Sequence, residues 1–139
     1  MEKINNTSDF LSFFKKIRVK PTHQRFIIAK LLFDGKNKHF TAEGLYEKVK
    51  LTKKKISLAT IYNTLHSFVE KKILKQVSIK DGKTIFCTNM ASHFHFFNST
   101  TGELIDIPND QIKIKKIPKA PKGLKIDSID VVVNLNKKN

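Results

Sequence analysis

One cysteine, Cys87, excludes an internal disulfide and any four-thiolate zinc knuckle built within this chain. Arginine is nearly as scarce. Of 27 basic residues only Arg18 and Arg25 are arginine, and lysine meets phosphate as a point charge rather than reading bases bidentately. Most of the positive charge therefore supplies salt-sensitive, sequence-independent affinity, and specificity must come from few residues. The 12 acidic residues are scattered, so the clustered carboxylates of a metal-assisted nuclease are missing. No apolar run approaches the ~18 residues of a membrane span. The amino-terminal stretch lacks the long apolar core and cleavage site of a signal peptide, which gives a cytoplasmic expectation. Walker and dinucleotide glycine motifs, internal repeats and Gly/Ser-rich linkers are absent too.

What the chain has in abundance is positive charge, a formal +15 over 139 residues. That surplus predicts a polyanionic partner. Nucleic acid comes first and an anionic membrane second, because the basic residues are spread along the whole chain rather than set on one amphipathic helix. An apolar content of 40 % allows one modest core, or two small lobes that depend on each other or on a partner subunit.

Between Lys55 and Glu70 the sequence ISLATIYNTLHSFV carries no charge, in a protein that is 28 % charged. Leu58, Ile61, Leu65, Phe68 and Val69 recur at the spacing of one buried helix face, with Thr60, Asn63 and Ser67 on the other and Ser57 as N-cap. Spacing alone favours an ordinary amphipathic helix with a mildly polar face. The lysines at both ends, Lys53 to Lys55 and Lys71 with Lys72, add a second meaning: neutral groups touch base edges while terminal cations hold phosphates.

Upstream, Ser8 to Ile17 reads as a short helix with Phe10, Leu11, Phe13 and Phe14 apolar, broken at Pro21. Thr22 caps a second helix through Phe33, with Phe26, Ile27, Ala29, Leu31 and Leu32 as inward candidates, and Thr41 opens a third around Leu45 and Val49. Downstream, Leu74 to Ile79 and Lys83 to Cys87 alternate around the turn Lys80-Asp81-Gly82. Helices closed by a hairpin are the order of a winged helix-turn-helix, whose last helix enters the major groove while the hairpin, with Lys80 and Lys83, rests on the backbone. Beyond Cys87, His93 to Phe97, Leu104 to Ile107 and Ile126 to Leu135 read as strands, and a helix beginning at Asn109 is cut short by Pro118 and Pro121. A sheet this small buries little, so a second copy is expected to complete it. The predicted fold is α+β: an N-terminal winged helix-turn-helix over residues 1–88, followed by a small α/β dimerisation lobe over residues 89–139.

The motifs PTHQR (Pro21 to Arg25), HFTAEGLY (His39 to Tyr46), SLATIYNTL (Ser57 to Leu65), DGK (Asp81 to Lys83), HFHFF (His93 to Phe97) and GELIDI (Gly102 to Ile107) together resemble the ferric uptake regulator family. Their order and spacing from about Arg18 to Leu135 carry the resemblance. YNTLH, DIP at Asp106 to Pro108 and the ending IDSIDVVVNL resemble most its iron response regulator branch. Where the wider family carries paired cysteines of a structural zinc site, this chain has Asn98 and Thr101, so no structural zinc held by four cysteines is expected.

The resemblance implies a homodimer on double-stranded DNA, at a palindromic or AT-rich operator. It implies that Tyr62 packs on base and sugar, that Lys20 and Arg25 position the backbone, and that Ser57 and Thr60 lie at the DNA-facing start of the helix. Asn63 stands where an arginine is usual, which shifts base preference from guanine toward adenine. His39, Cys87, His93 and His95 match a regulatory metal site, with Cys87 replacing a carboxylate and so favouring softer ions. Two imidazoles alternating onto one strand face, a third imidazole and a thiolate suit Zn²⁺, Fe²⁺ or, as family ligand, Mn²⁺. A second family site is lost, with Phe94 and Ile129 where ligands would stand. The branch resemblance implies haem as the signal, through His93 and His95. Taken by themselves, these histidines are also ordinary strand residues and Cys87 a small buried hydrophobe. The expected activity is iron-responsive repression of haem and iron metabolism genes; a nonspecific nucleoid or membrane binder explains the charge but not the hairpin and second lobe.

Overall fold

The computed structural model describes residues 4–138. Four helices open the chain: α1 (Thr7–Ile17), α2 (His23–Leu32), α3 (Ala42–Leu51) and α4 (Leu58–Glu70). Each starts on a side chain that accepts an orphan backbone N–H three residues on: Asn6 from Asp9, Thr22 from Arg25, Thr41 from Gly44 and Ser57 from Thr60. Caps of this kind each stabilise a helix by about 0.5–2 kcal/mol. α1 ends in a left-handed Arg18 (φ 58°), where Val19 N–H bonds the Phe14 carbonyl.

The chain forms two compact units, Met1–Ser78 with Gly82–Met90 and Ile79–Asp81 with Ala91–Asn139. In the first, the amphipathic periods of the helices meet in a phenylalanine cluster. Phe14 lies with its ring centroid 4.5 Å from Phe10 and 5.9 Å from Phe68, and Phe68 lies 5.7 Å from Phe33. Ile28, Leu45, Ile61 and Leu65 fill the remainder. Two details depart from the sequence-based expectation. Leu11 is 50 % exposed, because the stripe of an eleven-residue helix is already filled by three phenylalanines. Ile28, absent from the expected inward set, is fully buried, while Phe26, Ile27 and Leu31 are half-buried around it.

A three-stranded sheet closes this unit in the order β1 (His39–Phe40), β3 (Thr84–Cys87), β2 (Lys75–Ser78), all antiparallel. The β2–β3 hairpin is the wing. Gly82 carries its turn at φ 82°, the left-handed region that glycine enters without strain. Strand β1 was not foreseen, since two residues carry no readable period. It is zipped on by non-local bonds, Thr88 N–H to the Lys38 carbonyl (3.1 Å) and Lys38 N–H to Thr88 Oγ1 (2.8 Å).

The second unit is a sheet in the order β5 (Leu104–Pro108), β4 (His93–Asn98), β6 (Val132–Leu135), with β4–β5 antiparallel and β4–β6 parallel. The turn after β4, where family cysteines would stand, is held by hydrogen bonds: Asn98 Oδ1 accepts from Thr100 N–H (2.9 Å) and Thr101 N–H (3.3 Å). Of the helix expected from Asn109, one 3-10 turn forms (Asn109–Gln111). The strand expected over Ile126 to Leu135 shrinks to Val132–Leu135, because β4 offers it only His95 to Asn98 as a ladder. Residues without a pairing partner do not become strand, whatever their apolar content.

Together the helix-turn-helix, its wing and the small carboxy-terminal lobe make the α+β winged architecture expected. No helix among the described residues is long and apolar enough to cross a membrane. Phe68→Ala removes the ring shared by Phe14 and Phe33 and should lower unfolding free energy by about 3–5 kcal/mol, read from urea denaturation; a loss below about 1 kcal/mol would show that the cluster does not carry the unit.

Candidate functional site

Helix α4 divides its faces cleanly. Ile61, Leu65 and Phe68 are buried, while Asn63 is exposed and Tyr62 and Thr60 are half-buried. Its first turn is ordered by Ser57, whose hydroxyl donates to Thr60 Oγ1 (2.9 Å) and accepts Thr60 N–H (3.1 Å). Before α2, Arg25 donates to the Lys20 carbonyl (2.6 Å), tying the two expected backbone-positioning cations to one loop. The wing turn leaves Lys80 and Lys83 exposed.

Between α3, α4 and the wing lies an open cleft of about 480 Å³, lined by Glu43, Tyr62, Gly82, Lys83, Thr84 and Phe86. Across it the Tyr62 hydroxyl donates to Glu43 Oε1. Sequence reasoning did not single out Glu43. That bond holds the Glu43 carboxyl below the usual carboxylate range, with Lys83 adding a smaller pull in the same direction. It raises the Tyr62 phenol above its ordinary value.

In the first unit, His39 lies directly opposite Cys87 in the β1–β3 pair. Cys87 is fully buried, its thiol 3.9 Å from the Asn89 carbonyl. In the second unit, alternation on β4 brings His93 and His95 to one face with Nε2 atoms 3.0 Å apart. Asp106, directly opposite His95 on β5, sets its Oδ1 3.3 Å from His93 Nε2 and 3.2 Å from His95 Nε2. Asp106 was not among the expected ligands. Its signal was an acid inside the apolar strand LIDIP of a strongly basic chain.

The tautomer of His93 follows from its neighbour. Its Nδ1 faces the Ala91 carbonyl, which only accepts, so the ring proton of the neutral imidazole sits there and Nε2 presents a lone pair. A lone pair, a second imidazole nitrogen and a carboxylate oxygen thus converge. Such a set calls for a proton or a cation among them, and the backbone bond to the far nitrogen is the outer support usual for a metal-bound histidine.

Residues 16–134 match the sequence profile of the Ferric uptake regulator family. The chain belongs to that family. The Ferric uptake regulation protein of Escherichia coli K12 is 30 % identical over 113 residues, spanning 81 % of this chain and 73 % of that protein. The Peroxide-responsive repressor PerR of Staphylococcus epidermidis is 31 % identical over 98 residues, 70 % of this chain and 65 % of that one. Among solved structures, the Pseudomonas aeruginosa ferric uptake regulator with manganese superposes at TM-score 0.71 and 22 % identity, covering 94 % of this chain and 98 % of that one. The Vibrio cholerae regulator gives 0.70 and 23 %, over 91 % and 98 %. Ferric uptake regulators are metal-responsive transcriptional repressors, dimeric and DNA-binding, and not enzymes, in keeping with the scattered acids of this chain.

The Glu43–Tyr62 bond has a defined pH window. A depressed carboxyl contributes stability that is present above its unfolded value and lost as pH falls through the folded one; a raised phenol contributes stability lost as pH rises through its folded value. The bond is therefore intact at neutral pH and fails in both acid and alkali. Alkaline titration of tyrosinate absorbance should show Tyr62 ionising late, and Glu43→Ala should move it back toward the ordinary value, burial keeping part of the rise; an unchanged curve would remove the bond.

Proposed function

We propose that this chain is a homodimeric, sequence-specific repressor of iron and haem metabolism genes, switched by a divalent ion. The ion ligands are His93, His95 and Asp106 of the second unit; His39 and Cys87 of the first are carried over as ligands from the family resemblance. One observation carries the reading: a His93 lone pair whose far nitrogen is tied to a carbonyl converges with His95 and Asp106 within 3.3 Å. Imidazole and carboxylate suit Fe²⁺, Mn²⁺ and Zn²⁺ alike, and the Cys87 thiolate tilts the set toward Zn²⁺ and Fe²⁺ over Mn²⁺. An ion that binds the DNA-competent form more tightly than the other couples, by linkage, to DNA affinity.

On the DNA side, α4 offers Ser57, Thr60, Tyr62 and Asn63 to the groove, and Lys20, Arg25, Lys80 and Lys83 hold phosphates. A DNA target puts the protein's action in the cytoplasm. Haem, the signal implied by the iron response regulator resemblance, takes an axial nitrogen standing clear of its neighbours. Two imidazole nitrogens 3.0 Å apart fit one small ion better.

Metal-free protein titrated with Fe²⁺, Mn²⁺, Zn²⁺ and haemin, followed by absorbance and by gel shift on its own promoter, tests the reading. One ion per chain is expected to change promoter affinity roughly tenfold or more, and His95→Ala or Asp106→Ala to weaken ion binding by about 10–100-fold. Cys87→Asp should move selectivity from Zn²⁺ toward Mn²⁺. A haemin response with no divalent response would replace the ion by haem, and no response to either would overturn the switch.

A further inference from the structure

Glu43 stands out because a carboxylate beside a DNA-facing helix opposes the charge logic of a +15 chain. Near phosphates an acid weakens binding to every duplex alike. Its bond to Tyr62 assigns it a different task. A free tyrosine hydroxyl turns its proton toward whichever acceptor is nearest, and along a duplex the nearest acceptors are phosphate oxygens, which carry no sequence information. Here the proton is already given to Glu43 Oε1. The phenol oxygen is left with lone pairs only, and the side chain is held both by packing against the core and by the bond at its tip. Lys83, across the same cleft, carries the positive charge that a phosphate meets instead.

We propose that Glu43 is a specificity-determining positioning residue: by taking the Tyr62 proton it keeps Tyr62 off the phosphates and commits its ring and acceptor oxygen to base edges. The inference rests on the reading of α4 as the DNA-contacting helix. The groups such a side chain recognises are the thymine methyl, against the ring, and the exocyclic amino groups of adenine and cytosine, toward the oxygen. Glutamate rather than glutamine adds repulsion against any duplex whose phosphates slide into the cleft, so wrong registers are penalised more than the right one.

The test uses the full-length protein and a duplex selected in vitro by the wild type, against a scrambled duplex of equal length. Wild type is expected to show no phosphate whose ethylation interferes through Tyr62. Glu43→Ala frees the hydroxyl proton, so one new ethylation-sensitive phosphate appears in each half-site and the selected-to-scrambled affinity ratio falls roughly tenfold, the scale of one lost base contact. Glu43→Gln, whose amide oxygen accepts the same proton, keeps the wild-type interference pattern while affinity for both duplexes rises. In Tyr62→Phe the new phosphate position does not appear, and adding Glu43→Ala changes the ratio no further. Should Glu43→Ala fail to fold by circular dichroism, Glu43→Gln and Tyr62→Phe decide alone: a changed interference pattern in Glu43→Gln, or an unchanged ratio in Tyr62→Phe, overturns the assignment. So does a Glu43→Ala protein with the wild-type ratio and pattern. Wild type with no preference between the duplexes overturns both this assignment and the reading beneath it.

Discussion

Burial of Phe68 against Phe14 and Phe33 is the contact on which the first unit depends. A helix whose exposed face is to carry no charge cannot be held by surface ion pairs, and it must take its position from its apolar side alone. Ile61, Leu65 and Phe68, all fully buried, supply that position. The Ser57 cap supplies the rest by fixing the first turn. Both anchors lie on the inner face and at the N-terminus, so Asn63 stays exposed and Thr60 and Tyr62 half-buried on the outer face.

The second unit is built under a harder constraint. Among its described residues Phe97, Leu104 and Ile107 are the buried apolar side chains of the sheet, a small core for so many residues. Ile105, Ile114, Ile117, Leu124, Ile126 and Ile129 remain exposed. A lobe of this kind gains more from a second copy than from its own interior, in keeping with a dimeric family. The same scarcity explains the turn at Asn98, where side-chain acceptors satisfy backbone N–H groups locally. It also explains why polar atoms are tolerated at the centre: His95 is buried on the central strand because its nitrogen has Asp106 directly across the ladder.

Local signals made most elements legible. Thr22, Thr41 and Ser57 announced three helix starts, and Asp81-Gly82 announced the wing turn. What the sequence hid is non-local. Strand β1 exists only because β3 offers it an edge; β6 is as short as the ladder left on β4; and Asp106 became a partner of the two histidines through an antiparallel register that no spacing encodes. His93 and His95 were legible by period, since alternation alone puts them on one face. Glu43 was hidden for the same reason as Asp106, its partner lying nineteen positions away on another helix.

These two hidden acids share a logic. In a chain with 27 cations a carboxylate is seldom short of a positive neighbour, so an acid bonded to a neutral phenol, or placed between two imidazoles, is there for what it accepts rather than for its charge alone. Asp106 shares a proton or a cation with two imidazole nitrogens; Glu43 accepts the proton of one tyrosine hydroxyl. An acceptor thereby gives an ambidextrous group a single defined polarity, Glu43 for the Tyr62 phenol and the Ala91 carbonyl for the His93 imidazole. Lysine cannot do this, because an ammonium only donates. A strongly basic protein therefore sets the direction of its polar groups at the few positions where it places an acceptor.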